Sequence, residues 1–291
     1  MKKIFVVGSL NSDLVIHAPY MPVGGETLMG SDFATNNGGK GANQACACAK
    51  LGGETYMCGC VGNDAFGKGL IESLSNDGVS MDFVRKVDGV PTGVAVIVVT
   101  KGENRIILDS GANGYLNESD IDLMLEKASA GDIYLTQLEN PISVIGYGLK
   151  KAKEKGLFVV LNPAPANTEI KEYLQYVDLI TPNETELEIL GGIDALTDYG
   201  ISTIITTLGS KGYEICTQGE RKIYPCIKVD VVDTTAAGDT ASGGLCAMLS
   251  KGASIEDAIA FGSKAASIAC SRHGAQKSVP TLYEVLNYNI D

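Results

Sequence analysis

Ile133-Tyr-Leu-Thr-Gln-Leu-Glu-Asn-Pro-Ile-Ser-Val-Ile-Gly-Tyr-Gly-Leu-Lys-Lys-Ala-Lys-Glu-Lys-Gly-Leu-Phe-Val-Val-Leu-Asn162 is the stretch on which the fold turns. A short apolar run from Ile133 to Thr136 is followed by a helical stretch, Ile142 to Lys155, and a second apolar run, Phe158 to Asn162. Continuous apolar runs suit strands covered on both faces, as in a parallel sheet whose crossovers are helices. The alternation continues outward in both directions. Ile4 to Gly8, Thr55 to Val61, Leu179 to Thr181 and Thr203 to Thr207 read as further buried strands, and Gly41 to Leu51, Phe66 to Asn76 and Glu118 to Lys127 as helices. Repeated strand–helix–strand order implies an α/β sandwich.

Two regions leave this pattern. Residues 14–33 and 92–109 alternate apolar and polar side chains between Gly, Pro and Asn turns, which suits antiparallel strands exposed on one face. They read as a small accessory sheet, a lid. The last third carries two long helices rich in Ala, Gly and Ser, Gly238 to Lys251 and Ser254 to Cys270, whose small residues allow close packing. With neither repeat nor linker visible, residues 1–291 read as one domain with a lid; 291 residues is near the upper limit for a single core.

The net charge of −12, with no block of Lys or Arg, argues against nucleic acid or an anionic membrane as partner. It does not exclude a nucleotide, which backbone N–H groups, a few cations and a metal can hold locally. The N-terminal apolar run is ended by Asn11 and Asp13 before it reaches the length of a signal-peptide core, and no run of about 18 apolar residues is present. A cytoplasmic chain is expected, its eight cysteines held as thiols. The pairs Cys46/Cys48 and Cys58/Cys60 raise a zinc reading. Their one-residue gaps are shorter than structural zinc sites favour, so small core side chains are the better reading.

The strongest local signal is Val232-Asp-Thr-Thr-Ala-Ala-Gly-Asp-Thr-Ala-Ser-Gly-Gly244, where a polar loop gives way to a long helix. The N–H groups of Ala236, Ala237 and Gly238 at the helix start would form an anion site aided by the helix dipole. Asp239 beside them is the natural general base for a substrate hydroxyl. Taken alone, Asp239 or Thr240 reads equally as a helix cap. The second signal, Asn37-Gly-Gly-Lys-Gly-Ala-Asn-Gln-Ala45, is a glycine-rich entry to a helix that offers Lys40, Asn43 and Gln44 to a ligand. Asn11 and Asp13 follow the first strand, at an end where open α/β sheets place ligand-binding side chains. Gly62-Asn-Asp-Ala-Phe-Gly67-Lys68 imitates a phosphate-binding P-loop, but Gly69 stands where the metal-binding Ser or Thr belongs; Asp64 and Gly67 read as shaping a turn.

In this order the motifs resemble the PfkB family of carbohydrate kinases, in its ribokinase branch, over nearly the whole chain. The segments that carry the likeness are Gly8-Ser-Leu-Asn-Ser-Asp13, Gly25-Glu-Thr27, Gly38-Gly-Lys-Gly-Ala-Asn-Gln-Ala45, Gln137-Leu-Glu139, Asn162-Pro-Ala-Pro165, Thr181-Pro-Asn-Glu184, Thr207-Leu-Gly-Ser210, Asp233-Thr-Thr-Ala-Ala-Gly-Asp239, Gly274-Ala-Gln276 and Ser278-Val-Pro280. The resemblance implies a ribokinase-like three-layer αβα sandwich whose β lid helps to form a homodimer. It implies transfer of the ATP γ-phosphoryl group to a sugar hydroxyl, with the 5-hydroxyl of D-ribose the leading acceptor. Asn11, Asp13, Gly39, Lys40, Asn43 and Glu139 would line the sugar pocket, with Asp239 as base and Ala236, Ala237 and Gly238 as anion site. Asn183, Glu186, Thr207, Gly209, Gly212, Gly238 and Ser263 would surround the nucleotide, Asn183 and Glu186 ordering Mg²⁺ through water. A monovalent cation, K⁺, would be held by Asp233, Thr235, Ala269, Arg272, Gly274 and Ser278.

The chain departs from that pattern at three places. The segment between Gly191 and Thr203 is short for a strand–helix–strand connection, so an outer helix is expected to be truncated or missing. Ala241 stands where the branch usually carries an aromatic residue, and Ser263 stands at a nucleotide-pocket position often filled by a ring. A kinase of 2-deoxyribose or of a nucleoside shares most of these motifs. A non-catalytic sugar binder would have no use for a base beside an anion site.

Overall fold

The computed structural model describes residues 1–101 and 103–288. Gly102, in the second expected lid segment, and residues 289–291, the end of the expected 1–291 domain, lie outside the described residues. The strands are β1 (Lys3–Val7), β2 (Asn11–His17), β3 (Ser31–Gly38), β4 (Glu54–Gly62), β5 (Ser80–Val87), β6 (Gly93–Thr100), β7 (Glu103–Asp109), β8 (Ile133–Thr136), β9 (Phe158–Leu161), β10 (Leu179–Ile180), β11 (Thr203–Thr207), β12 (Tyr213–Thr217) and β13 (Glu220–Tyr224). The helices are α1 (Lys40–Lys50), α2 (Ala65–Asn76), α3 (Glu118–Glu126), α4 (Ile142–Glu154), α5 (Glu184–Leu190), α6 (Gly192–Asp198), α7 (Ala237–Ser250), α8 (Ile255–Cys270) and α9 (Leu282–Asn287).

Nine strands form the central sheet in the order β13-β12-β11-β10-β9-β8-β1-β4-β5. From β5 to β11 every neighbour is parallel, and β12 and β13 close one edge as an antiparallel pair. The quoted stretch is the β8–α4–β9 unit, with Ile133 paired to Phe158 and Thr136 to Leu161. Alternation along β1 shows how one strand serves two layers. Ile4 and Val6 enter one core with α1, α2, α7, α8 and α9, whereas Phe5 and Val7 enter the other with α3, α4, α5 and α6. Cys46 and Cys48 are buried in the first core and Cys58 and Cys60 in the second, so the two Cys-x-Cys pairs are separated by the sheet.

On the α1 side the helices approach closely because glycines face each other. A Cβ on Gly244 would sit 2.7 Å from the Gly262 Cα, and one on Gly262 would sit 2.4 Å from the Ala241 carbonyl oxygen. This contact joins α7 to α8. Gly243 does the same for α7 and α1, where a Cβ would come within 2.4 Å of the Ala47 Cβ.

The lid is a separate four-stranded sheet in the order β3-β2-β6-β7. Its first two strands begin at Asn11 and end at Gly38, so Asn11, Asp13 and Asn37 are lid-strand residues and not loop residues beyond a main-sheet strand. The central pair β2–β6 is parallel, in contrast to the antiparallel expectation; only β2–β3 and β6–β7 are antiparallel. The reason is topological. β2 follows β1 and β6 follows β5, and since β1, β4 and β5 run parallel, both excursions leave the main sheet in the same direction. Asp64 secures the second excursion: it caps α2 by accepting from the Gly67 N–H at 2.8 Å and also accepts from the Thr92 N–H at 2.7 Å. That carboxylate occupies the helix start that the P-loop-like motif imitates. The short Gly191–Thr203 segment still forms a helix, α6, of seven residues, with Gly191 left-handed between α5 and α6. No helix among the described residues is long and apolar enough to cross a membrane.

Candidate active site

Asp239 lies in the first turn of α7 and is 6 % exposed. Its carboxylate is held from α1: Asn43 Nδ2 donates to Oδ2 at 3.0 Å and Gln44 Nε2 to Oδ1 at 2.9 Å. The turn before it is strained, since Ala236 adopts the left-handed conformation at φ 58°, uncommon for a residue with a Cβ. Of the three N–H groups expected to form an anion site, that of Ala237 donates instead to the Thr234 carbonyl at 3.2 Å, the bond that closes this turn. Among the described residues the Ala236 and Gly238 N–H groups have no acceptor, and a Cβ on Gly238 would meet nothing within 4 Å. The helix start is therefore open to an anion on two N–H groups.

The sugar-side residues come from the lid, from the start of α1 and from the segment after β8. Asp13 on β2 sits opposite Asn36 of β3, against the backbone of Gly38, where a Cβ would fall 2.3 Å from its Oδ2. Burial, reinforced by Glu139 and Asp239, pushes the Asp13 carboxyl up to about 7. Asn11 Oδ1 accepts from Asn113 Nδ2 at 2.7 Å, and Asn113 is itself fixed to the Leu10 N–H and carbonyl. The free end of the Asn11 amide is thus the donor end. Glu139 accepts from the Ser9 hydroxyl and from the Lys40 N–H at 3.1 Å. Gly39, at φ 88°, makes the turn into α1 and leaves a hypothetical Cβ only 2.7 Å from the Asn11 nitrogen, so no other residue fits there. Burial by itself would lower the Lys40 ammonium; Asp239, Glu139 and Glu186 outweigh it and hold the group above its ordinary value. Lys40 makes no ion pair within 4 Å among the described residues, so its charge is available to a ligand.

On the nucleotide side Asn183 and Glu186 form a capping box at the start of α5. The Asn183 N–H donates to Glu186 Oε2 at 2.9 Å and the Glu186 N–H to Asn183 Oδ1 at 2.8 Å. One Glu186 oxygen remains free of protein donors. Burial raises the Glu186 carboxyl, with the Asn183 N–H and Lys40 opposing and Asp239 adding to the rise. Asn183 is bridged to Thr207 at the end of β11, which continues through Gly209 into the turn closed by Gly212. Ser263 lines a cleft of about 340 Å³ with Tyr213, Pro225, Ile227, Phe261 and Lys264. Of the residues expected around the nucleotide, Ser263 alone faces this cleft; Asn183, Glu186, Thr207, Gly209, Gly212 and Gly238 do not.

Asp233 organises the approach to α7. Its Oδ1 accepts from the Thr235 N–H at 2.9 Å and hydroxyl at 2.6 Å, and its Oδ2 from the Gly274 N–H at 3.0 Å. Burial alone would raise this carboxyl; the Thr235 and Gly274 donors outweigh it and hold it below the usual range. The Arg272 side chain turns away to Glu284 at 2.7 Å, and the Ser278 hydroxyl donates to the Ala275 carbonyl at 2.8 Å. Ala269 belongs to this group only through its backbone, since its carbonyl accepts from the Arg272 N–H at 3.0 Å. Asp233 supplies the one carboxylate of this group and the others offer oxygen atoms, the donor type that hard cations favour.

The structure adds three residues beyond the expected site: Gln137 and Asn162, which stand in two of the quoted motifs without an assigned role, and Asn113, which stands in none. Gln137 and Asn162 follow β8 and β9, and both reach Gln44: Gln137 Nε2 donates to Gln44 Oε1 at 2.6 Å, and Gln44 Nε2 to Asn162 Oδ1 at 3.1 Å. Their position just past the carboxyl ends of parallel strands is the signal that finds them. Asn113, on a short 3-10 turn after β7, carries no such signal.

A parallel sheet between helical layers, a β lid over its carboxyl edge and a buried carboxylate at an open helix start define a phosphotransferase of the sugar-kinase class. Residues 1–282 match the family described as pfkB family carbohydrate kinase, and the chain belongs to it. It is 40 % identical over 300 residues to the ribokinase of Haemophilus influenzae, spanning 99 % of this chain and 98 % of that one. The deoxyribokinase of Salmonella typhi is 34 % identical, over 98 % of each chain. Among solved structures, ribokinase from Thermotoga maritima superimposes with a TM-score of 0.89 at 36 % identity, covering 98 % of each chain. Arabidopsis thaliana ribokinase complexed with ribose and ATP does so with a TM-score of 0.88 at 34 % identity, over 98 % of this chain and 97 % of that one.

Proposed function

We propose that this ATP-dependent sugar kinase phosphorylates D-ribose at its 5-hydroxyl, giving ribose 5-phosphate and ADP, as a single domain closed by its lid. The observation that carries this reading is the buried Asp239 carboxylate, fixed by Asn43 and Gln44 next to the unpaired N–H groups of Ala236 and Gly238. Asp239 takes the proton of the accepting hydroxyl as its oxygen bonds to the γ-phosphorus and the bond to the β-phosphate oxygen breaks. The two N–H groups, the helix dipole and the Lys40 ammonium stabilise charge on the transferring group. Asn11, Asp13, Lys40 and Glu139 hold the other sugar hydroxyls. A donor amide on Asn11 and an acceptor carboxylate on Asp13 suit a free, polyhydroxylated pentose.

Glu186, with one free oxygen, and Asn183 are suited to order the water shell of the Mg²⁺ that accompanies ATP; the ion supplies charge neutralisation on the phosphates. Asp233, the Thr235 hydroxyl, the carbonyls of Ala269, Arg272 and Gly274 and Ser278 are suited to a K⁺ ion that would stiffen the turn before α7. Thr207, Gly209, Gly212 and Ser263 form the nucleotide side. A cytoplasmic site of action agrees with cysteines that are all unpaired among the described residues.

The deoxyribokinase likeness keeps 2-deoxyribose as the second reading. ADP release measured over ribose, 2-deoxyribose, hexoses and nucleosides, in K⁺ and in Na⁺ at matched ionic strength, tests both. Highest kcat/KM on ribose with activity greater in K⁺ is the expected result; a preference for 2-deoxyribose or a nucleoside would replace the ribose assignment, and equal rates in the two salts would remove the K⁺ site.

A further inference from the structure

Gln44 is 0 % exposed, so it has no access to a ligand in the pocket, yet it holds one oxygen of the Asp239 carboxylate. We infer that Gln44 is the residue that keeps the Asp239 carboxylate aimed: a positioning residue for phosphoryl transfer whose amide is locked in one orientation by Gln137 and Asn162. The lock follows from donor and acceptor count. Gln44 Nε2 donates both to Asp239 Oδ1 and to Asn162 Oδ1, and Gln44 Oε1 accepts from Gln137 Nε2. Turning the amide over would set its oxygen against two oxygens and its NH₂ against another NH₂. Asn162 is fixed in turn, its Nδ2 donating to the Thr181 carbonyl at 3.0 Å.

The backbone distance is set independently of these bonds. α1 and α7 touch at Gly243, where a Cβ would fall 3.0 Å from the Gln44 carbonyl oxygen, so the helix that carries the amide cannot drift from the helix that carries the carboxylate.

The carboxylate that Gln44 holds stands among charges of both signs: Asp13, Glu139, Glu186 and Lys40 all belong to this pocket. Asn43 Nδ2 donates a second bond to that carboxylate at 3.0 Å but keeps some exposure, 7 %, where Gln44 has none. Gln44 therefore fixes one oxygen of the base from behind the pocket.

This inference rests on Asp239 being the base, and the experiment separates the two. Gln44→Met, similar in length and without a donor, and Gln44→Glu, isosteric but a competing acid, are compared with wild type and Asp239→Asn in profiles of kcat/KM against pH. A lost hydrogen bond to a charged group corresponds to a pKa shift of about one unit or more. The acid limb is expected to move up by about one pH unit in Gln44→Met and further in Gln44→Glu. In both variants kcat at neutral pH should fall about 10- to 100-fold, with KM for sugar and ATP within a few-fold. Thermal melting of each variant shows that it is folded, and Asn162→Ala, which frees the amide without removing it, should shift the limb in the same direction. Unmoved acid limbs in the folded variants, or full activity in Gln44→Met, overturn the role of Gln44 while an inactive Asp239→Asn leaves the base in place. An active Asp239→Asn overturns both.

Discussion

At the scale of single residues the site is built from carboxylates under opposite influences. Asp239 is given two amide donors, whereas Asp13 is buried with two acidic neighbours and lies against the bare backbone of Gly38, so its carboxyl rises to about 7. The folded protein then binds a proton at Asp13 that the unfolded chain, with an ordinary carboxyl, has already released, and stability falls as pH rises from about 4 to about 7. Above pH 7 the full penalty, on the order of a few kcal/mol, is present. Asp13→Asn is expected to raise the melting temperature of the ligand-free protein by several degrees at pH 8 and by much less at pH 5, measured by calorimetry. A gain that does not depend on pH would mean that Asp13 is not the titrating group. The same carboxylate must be ionised to accept sugar hydroxyls, so KM for the sugar should rise as pH drops below 7. Asp239→Asn is expected to lower kcat by at least ~10²-fold while the sugar dissociation constant from calorimetry changes within a few-fold. The site motifs were legible because phosphoryl transfer needs glycine-rich helix starts with a nearby acid; the amide lock around Gln44 was not, because its members come from three distant segments that only the sheet brings together.

At the scale of elements the buried helix pair α7–α8 decides where Asp239 stands. Alanine is favoured over glycine in a helix by about 0.8–1 kcal/mol on propensity alone. At Gly262 that gain meets a backbone oxygen 2.4 Å from the new Cβ, and overpacking of this kind costs about 1–3 kcal/mol. Gly262→Ala is therefore expected to lower the denaturation midpoint and to reduce kcat by shifting the start of α7, whereas Gly69→Ala, in α2 with nothing within 4 Å of its new Cβ, should raise the midpoint. Denaturant titration of the two variants gives opposite signs if packing, rather than propensity, rules at α7–α8. The same contrast explains what could be read from the chain. Buried parallel strands such as β1, β8 and β9 declare themselves by unbroken apolar runs. β5 (Ser-Met-Asp-Phe-Val-Arg-Lys-Val) and β13 (Glu-Arg-Lys-Ile-Tyr) went unread because they are sheet edges, half-exposed and charged, and β12 went unread with its partner. The parallel pairing of β2 with β6 is a property of how two distant excursions leave the main sheet, which no local pattern records.

At the scale of the molecule the lid is the part of the fold that lacks a complete core. Register places Leu14, Val96 and Ile107 side by side on one face, while Asp13, Ala95 and Leu108 share the face that carries the sugar-side carboxylate. Ile107 is 69 % exposed and Val96 38 %, and Phe33 on the flanking strand is 65 % exposed. Exposed apolar side chains gathered on one sheet face are the kind of surface that interaction sites present. A second copy of the chain is the occupant we propose, because two such lids would present identical surfaces about a twofold axis and could cover each other's edges. The arrangement would also tie activity to association, since β2 belongs at once to the lid and to the site through Asn11 and Asp13. Ile107→Asp places a charge on the exposed edge strand of that face, far from Asp239 in sequence and on the face opposite Asp13. Sedimentation is expected to show a wild-type dimer and a monomeric Ile107→Asp variant whose melting temperature is little changed. Its KM for the sugar should rise several-fold while kcat at saturating sugar falls less, because the lid loses its support but the base does not move. A wild type that sediments as a monomer at micromolar concentration, or an Ile107→Asp variant that stays dimeric, would show that the lid face is covered by something other than a second copy.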